Sequence, residues 1–219
     1  MAHAIPQPTP PVSAPGRLKL NIGCGFNKID GYVNVDAFPA CAPDVLWDLE
    51  VTPWLFEDDA VDEIVAHHVL EHLGQATGTF FAIVKEIYRV VRHGGQVLIA
   101  VPHPLHNSFL TDPTHIRAFT PETFLMLSRA RNLDWAARRV NVTMLALMLN
   151  VDFEPVAINN IYDSHWADKL NKGEVTEAEL RDIARSRFGV VREIRARLKV
   201  DKSGRGGRGP FPQPGAAGA

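Results

Sequence analysis

Two sets of residues in this chain have types and spacings suited to chemistry. The first is the stretch KLNIGCGFNKIDGYVNVD, Lys19 to Asp36. An apolar run enters a turn with glycines at 23 and 25, and a second short apolar run ends at Asp36. Gly23 permits a tight turn, and Gly25 lets a ligand approach the backbone without meeting a Cβ. Asp36 can accept hydrogen bonds from both hydroxyls of a ribose. The dinucleotide fingerprint GxGxxG is not met, because residue 28 is Lys. Asp36 also stands 11 residues after Gly25, where a dinucleotide site has its acid about 20 residues on. The stretch reads as a nucleoside site with a short loop.

The second set is histidine. His67, His68 and His72 follow one apolar run, and His103, His106 and His115 follow another. A reference pKa of about 6.5 suits histidine to take a proton from a hydroxyl or an amine. His68 and His115 are the candidate bases, and His72, His103 and Arg117 the candidate substrate contacts. Plainer readings stand beside these. His72 can be a satisfied polar residue of a buried helix, His68 can cap a loop, and Glu71 can pair with a neighbouring cation. Arg117 can orient a carboxylate or phosphate, or form a loop salt bridge. A metal reading is also open: His103, His106 and His115, with Asp112, are ligand types for zinc or iron, although their spacing fits no motif.

The elements that must position these residues alternate. Leu18–Ile22, Tyr32–Val35, Asp44–Leu49 and Glu63–Ala66 read as strands. From about Thr79 to Arg92, Phe80, Ile83, Val84, Ile87, Val90 and Val91 share one helical face, and Gly94–Gly95 is expected to end the helix. Gln96–Val101 is a buried strand closed by Pro102. Apolar strands alternating with a helix predict a parallel sheet covered on both faces. Thr120–Pro121–Glu122 marks a helix start, and Thr176 with Glu179 a capping box for a helix to about Phe188. Ile194, Ala196, Leu198 and Val200 alternate with Arg195, Arg197 and Lys199, which predicts a half-exposed antiparallel strand. Val151–Ile161 is its expected partner, with Pro155 confining it to an edge or a bulge.

The order of these motifs resembles the class I S-adenosylmethionine-dependent methyltransferases, nearest the type 11 kind. The segments LNIGCG, HVLEHL and RVVRHGGQVLIAVP carry the resemblance over about Leu18 to Pro102, and DPTHIRAFTPETF looks like a family insertion. The resemblance implies a Rossmann-like fold: a mostly parallel seven-stranded sheet with an antiparallel C-terminal edge strand and helices on both faces. It implies S-adenosyl-L-methionine as cofactor. Gly23, Cys24 and Gly25 would hold its methionine end and Asp36 its ribose. Asp48 would accept from the adenine amino group, Leu49 would lie against the ring, and His67 would sit beside the methionine moiety. Asn21 stands where the family usually has an acid, and Asn27 where it has a third glycine. Only Phe26 to Gly31 separate the first two strands, fewer than a parallel crossover normally needs, so the usual first helix must be very short.

Composition bounds the remainder. The chain has 219 residues, is 46% hydrophobic and carries a net charge of −2, which suits one domain with no general attraction to nucleic acid or membrane. Cys24 and Cys41, the two cysteines, form no disulfide framework, so the expected compartment is the reducing cytoplasm. Residues 1–16 are Pro-rich and 202–219 Gly/Pro/Arg-rich; both are expected to be disordered. The expected domain is 17–201, with an insertion or lid at about 103–150. RGGRG at 205–209 is read as a solubilising tail and not as an RNA-binding element. AHHV at the end of the fourth strand lacks the tetrapeptide of base-methylating enzymes. The expected activity is methyl transfer to a small molecule or saccharide, at oxygen. The alternatives are a metal-dependent enzyme using His103, His106 and His115, or an inactive cofactor-binding partner protein.

Overall fold

The computed structural model describes residues 18–204; the expectations for 1–16 and for the tail beyond 204 lie outside the described residues. Seven strands form one sheet in the order β3-β2-β1-β4-β5-β7-β6. They are β1 (Leu18–Ile22), β2 (Val33–Asp36), β3 (Val45–Leu46), β4 (Val61–His67), β5 (Val91–Pro102), β6 (Phe153–Tyr162) and β7 (Val191–Val200). β1 to β5 are mutually parallel, and β7 runs antiparallel to both β5 and β6. The expected Rossmann-like sheet is therefore present, with β7 one position in from the edge. Pro155 sits on edge strand β6 beside a bulge, where a missing N–H is tolerated.

Helix α1 (Thr77–Val90) crosses from β4 to β5. α2 (Asn107–Leu110), α3 (Pro121–Leu125), α4 (Arg129–Ala137) and α5 (Leu145–Leu149) lie between β5 and β6, and α6 (Ser164–Asn171) and α7 (Glu177–Ile183) between β6 and β7. The Thr176–Glu179 capping box is present, but α7 ends at Ile183, short of Phe188. Helix α1 ends at Val90, four residues before the glycines. Val91 already pairs with Val61, and the next regular pair is Glu63 with Gln96. The Gly94–Gly95 pair thus forms a bulge inside β5. A Cβ on Gly95 would stand 2.8 Å from the Asp62 carbonyl oxygen, so a side chain there would break the bulge.

Paired residues in neighbouring strands share a face, and faces alternate along each strand. One face carries Leu20, Ile22, Val35, Ile64, Ala66, Val97, Ile99, Ile194, Ala196 and Leu198, all buried in the main core. Phe80, Ile83, Val84 and Ile87 of α1, and residues of α3 and α5, complete that core. Each Val, Leu, Ile or Phe side chain buried there contributes about 1.5–3 kcal/mol. The opposite face carries Lys19, Asn21, Asn34, Glu63, Gln96, Arg195, Arg197 and Lys199. The ten residues between β1 and β2 contain no helix, which goes further than the shortened first helix expected from the sequence. β6 ends, and β7 begins, at the end of the sheet where the parallel strands finish. Trp166, Val175, Leu180 and Val190 form a second small core there. Lys202 is buried, and its N–H donates to His93 Nδ1 at 3.0 Å, so the folded domain passes the expected boundary at Asp201.

Candidate active site

The turn after β1 is shaped by backbone and side chains together. Gly23 and Gly25 adopt φ of 61° and 50°, where residues with a Cβ are disfavoured. A Cβ on Gly23 would meet Val69 Cγ2 at 2.3 Å, whereas one on Gly25 would meet nothing within 4 Å. Gly23 is thus needed for close packing, and Gly25 opens onto free space. The Gly25 N–H donates to Asp36 Oδ2 and the Phe38 N–H to Asp36 Oδ1, both at 2.8 Å. Each carboxylate oxygen keeps a lone pair for a further donor. Asn21 is buried, and its amide donates to the Asn27 carbonyl at 3.0 Å and to Asn34 Oδ1 at 2.9 Å. Asn34 also donates to Asp44 Oδ2 at 2.7 Å and accepts from the Ile29 N–H at 2.8 Å. This Asn21–Asn34–Asp44 network fixes the helix-free loop. Sequence reading missed Asn34 and Asp44, because only the strand register brings them together. Asn34 lowers the Asp44 pKa through backbone and side-chain hydrogen bonds, against the effect of burial.

Cys24 is buried, and burial first, then the charges of Asp36 and Cys41, push its thiol up to about 11. It is an inert packing group at neutral pH. Asp48 is exposed in the turn after β3, where Oδ1 accepts from the Glu50 N–H at 2.9 Å. Leu49 is buried in the main core.

His67 and His68 stand at the end of β4, beside β1, the strand from which the sheet extends in both directions. Such a switch point is where open α/β sheets bind ligands. Burial lowers the His67 pKa, with Glu193 opposing it. His68 has φ 52°, a conformation costing about 1–2 kcal/mol. It is held by its N–H donating to the Ala100 carbonyl at 2.8 Å and by Nε2 lying 2.7 Å from Glu193 Oε2. Glu71 first, then Glu193, raise the His68 pKa, while burial opposes them. Burial would raise the Glu193 pKa, but Arg195 and His68 lower it.

The six histidines do not form one cluster. His103 Nδ1 accepts from the Leu105 N–H at 3.2 Å, and burial, then His106, lower its pKa. His106 caps α2 and lies 3.4 Å from Asp163 Oδ2. His115 instead turns back to the helical turn after β4, against His72 and Glu71. The set His103, His106 and His115 is therefore not assembled. Among the described residues, the groups whose ligand atoms lie within 4.8 Å of one another are Cys24, Asp36 and Cys41, and Glu71, His72 and His115. Arg117 lies over the Phe80 ring at 4.0 Å and donates to the Gly74 carbonyl at 2.5 Å; burial lowers its pKa.

The strand order and the glycine turn at its switch point are those of a Rossmann-like fold. Residues 39–99 match the family model described as a methyltransferase domain. The matched stretch runs from the loop after β2 into β5 and contains α1 and the histidines at the end of β4. The chain is similar to a SAM-dependent methyltransferase from Archaeoglobus fulgidus (19% identity, 84% of this chain and 86% of that one, TM-score 0.50). It is also similar to the N-methyltransferase NodS from Bradyrhizobium japonicum WM9 (11%, 85% and 86%, 0.50). A third similar structure is the [4+2]-cyclase SpnF (13%, 85% and 76%, 0.51). These likenesses establish the fold, which hosts more than one reaction. No curated protein matches the chain. No helix among the described residues is long and apolar enough to cross a membrane.

Proposed function

We propose that this chain transfers the methyl group of S-adenosylmethionine to an oxygen of a small-molecule or saccharide acceptor. The observation that carries the reading is the turn after β1, where Gly25 opens to free space beside the Asp36 carboxylate. The turn fits the cofactor: Gly23–Gly25 would take its methionine end, Asp36 its ribose hydroxyls and Asp48 its adenine. When bound, the cofactor supplies a methyl group already activated on a sulfonium. The protein's part is to align the acceptor, exclude water and accept a proton. His68 is the proposed base. It is half-exposed at the mouth of β4, with Glu193 beside it to stabilise the imidazolium. His115 fits that role less well, because it is nearly buried and its Nδ1–H donates to the Phe109 carbonyl. His67, Glu193 and Arg195 give the mouth a polar lining, which favours a hydroxylated acceptor. The free cysteines Cys24 and Cys41 suit a reducing cytoplasm.

Isothermal titration with S-adenosylmethionine and S-adenosylhomocysteine tests the reading. Wild type is expected to bind, and Asp36→Ala to bind at least tenfold more weakly, a loss of about 1.4 kcal/mol or more. Gly25→Ala is expected to impair binding while the fold persists. A wild-type protein that binds neither compound would sink the proposal.

A further inference from the structure

We infer that Glu71, His72 and His115 bind a divalent transition metal beside the end of β4. Glu71 is fully buried, and neither carboxylate oxygen accepts a hydrogen bond of good geometry. Imidazole nitrogens approach it from two sides, His68 Nδ1 at 3.4 Å and His115 Nε2 at 3.9 Å, both from Oε1. A buried carboxylate without hydrogen bonds is costly unless a cation compensates it.

The two histidines are set as ligands are. His115 Nδ1 lies 2.8 Å from the Phe109 carbonyl oxygen, which can only accept. Nδ1 therefore carries the proton, and Nε2 of the neutral ring presents its lone pair toward Glu71. The Phe109 ring stacks on His115 at 5.4 Å and fixes its plane. The His72 ring meets His115 edge-on at 4.6 Å. His72 Nδ1 lies 2.8 Å from Thr114 Oγ1, whose hydroxyl donates to Asp112 Oδ1 at 2.6 Å. Asp112 Oδ2 is itself 3.9 Å from His115 Nε2, at the rim of the site. Two donors on one tetrahedral metal stand about 3.4 Å apart, from bond lengths of about 2.0–2.1 Å. The observed 3.9 Å between Glu71 and His115 closes to that with small side-chain rotations.

Two imidazoles and a carboxylate suit zinc or ferrous iron, and three protein ligands leave a coordination position open. On the methyl-transfer reading proposed above, that position is where an acceptor oxygen would bind.

The test is titration of chelator-treated, dialysed full-length protein with Co2+, followed by visible absorption, and with Zn2+ in competition. The expected result is one Co2+ per chain with d–d bands and no thiolate charge-transfer band. Affinity should fall at least tenfold in Glu71→Gln and in His115→Ala, and stay unchanged in His165→Ala and Cys41→Ser. Circular dichroism confirms that each variant folds, and the near-isosteric Glu71→Gln keeps the test valid should His115→Ala unfold. Three results overturn the inference: no stoichiometric binding, unchanged affinity in Glu71→Gln, or a thiolate band placing the ion at Cys24 and Cys41. Cofactor titration of the same samples separates the two proposals. Cofactor binding without metal binding removes this site alone, and metal binding without cofactor binding removes only the methyl-transfer reading.

Discussion

Two buried glutamates, Glu86 and Glu71, are treated in opposite ways. Glu86 on α1 accepts from Arg89 Nη2 at 2.7 Å, from Arg89 Nε at 2.8 Å and from the Trp54 N–H at 2.6 Å. Arg89 continues to the Phe56 and Trp54 carbonyls at 2.9 and 3.1 Å, so the pair ties the loop before β4 to the helix after it. Glu71 is buried more deeply and has no such bond. A charge satisfied on every side maintains the fold. One left unsatisfied where the strands present their ligands is held for something that binds. Proteins accept this kind of local cost at functional sites.

The largest effect expected from this contrast is in Arg89→Ala. It strips the charge compensation from Glu86 and should cost about 3 kcal/mol or more in urea unfolding. Zinc should act at the other glutamate. At a hundredfold excess over its dissociation constant it should stabilise wild type by about 2.7 kcal/mol, and Glu71→Gln should lose most of that gain in thermal unfolding. In metal-free protein Glu71→Gln should change stability by less than about 1 kcal/mol, or raise it, because the substitution removes an ill-compensated charge. A loss near that of Arg89→Ala would mean that Glu71 is as structural as Glu86, and the contrast would fail.

The smallest effect is in pH. Burial would raise the Glu86 pKa, but Arg89 and the Trp54 N–H outweigh it and hold it below the usual glutamate value. A depressed folded-state pKa gives stability that is present above the unfolded value and lost as pH falls through the folded one. The stability of wild type over Glu86→Gln should therefore be constant near neutrality and shrink below about pH 4.5.

What the sequence disclosed was local. The Gly23–Gly25 turn, the Thr176–Glu179 box and the alternation at 194–200 are each readable within a few residues. The end of α1 was misjudged because Val90 and Val91 continue the helical stripe while Val91 is already paired in β5; the glycine pair marks a bulge. The alternative grouping of His103, His106 and His115 is not assembled for the same reason. His103, His106 and His115 are neighbours in sequence, whereas His115 meets Glu71 and His72 only because the Ile116 and Arg117 N–H groups both donate to the Glu71 carbonyl. Contacts across more than 40 residues leave no periodic trace. Placement of Asn21 in a buried amide network explains why an uncharged residue stands there, and that too depended on strand register.

The helix-free link between β1 and β2 has a kinetic consequence. Its order rests on the side chains of Asn21, Asn34, Asp36 and Asp44 and on isolated backbone bonds such as Asn27 N–H to the Cys24 carbonyl, without a ladder of helical hydrogen bonds to open cooperatively. Such a segment lies at the low end of local unfolding free energy. Its amides should exchange with solvent deuterium well before those of the central strands. Gly25, whose N–H is held by the Asp36 carboxylate, then becomes a sensor of occupancy, protected to the extent that a ligand dwells above it.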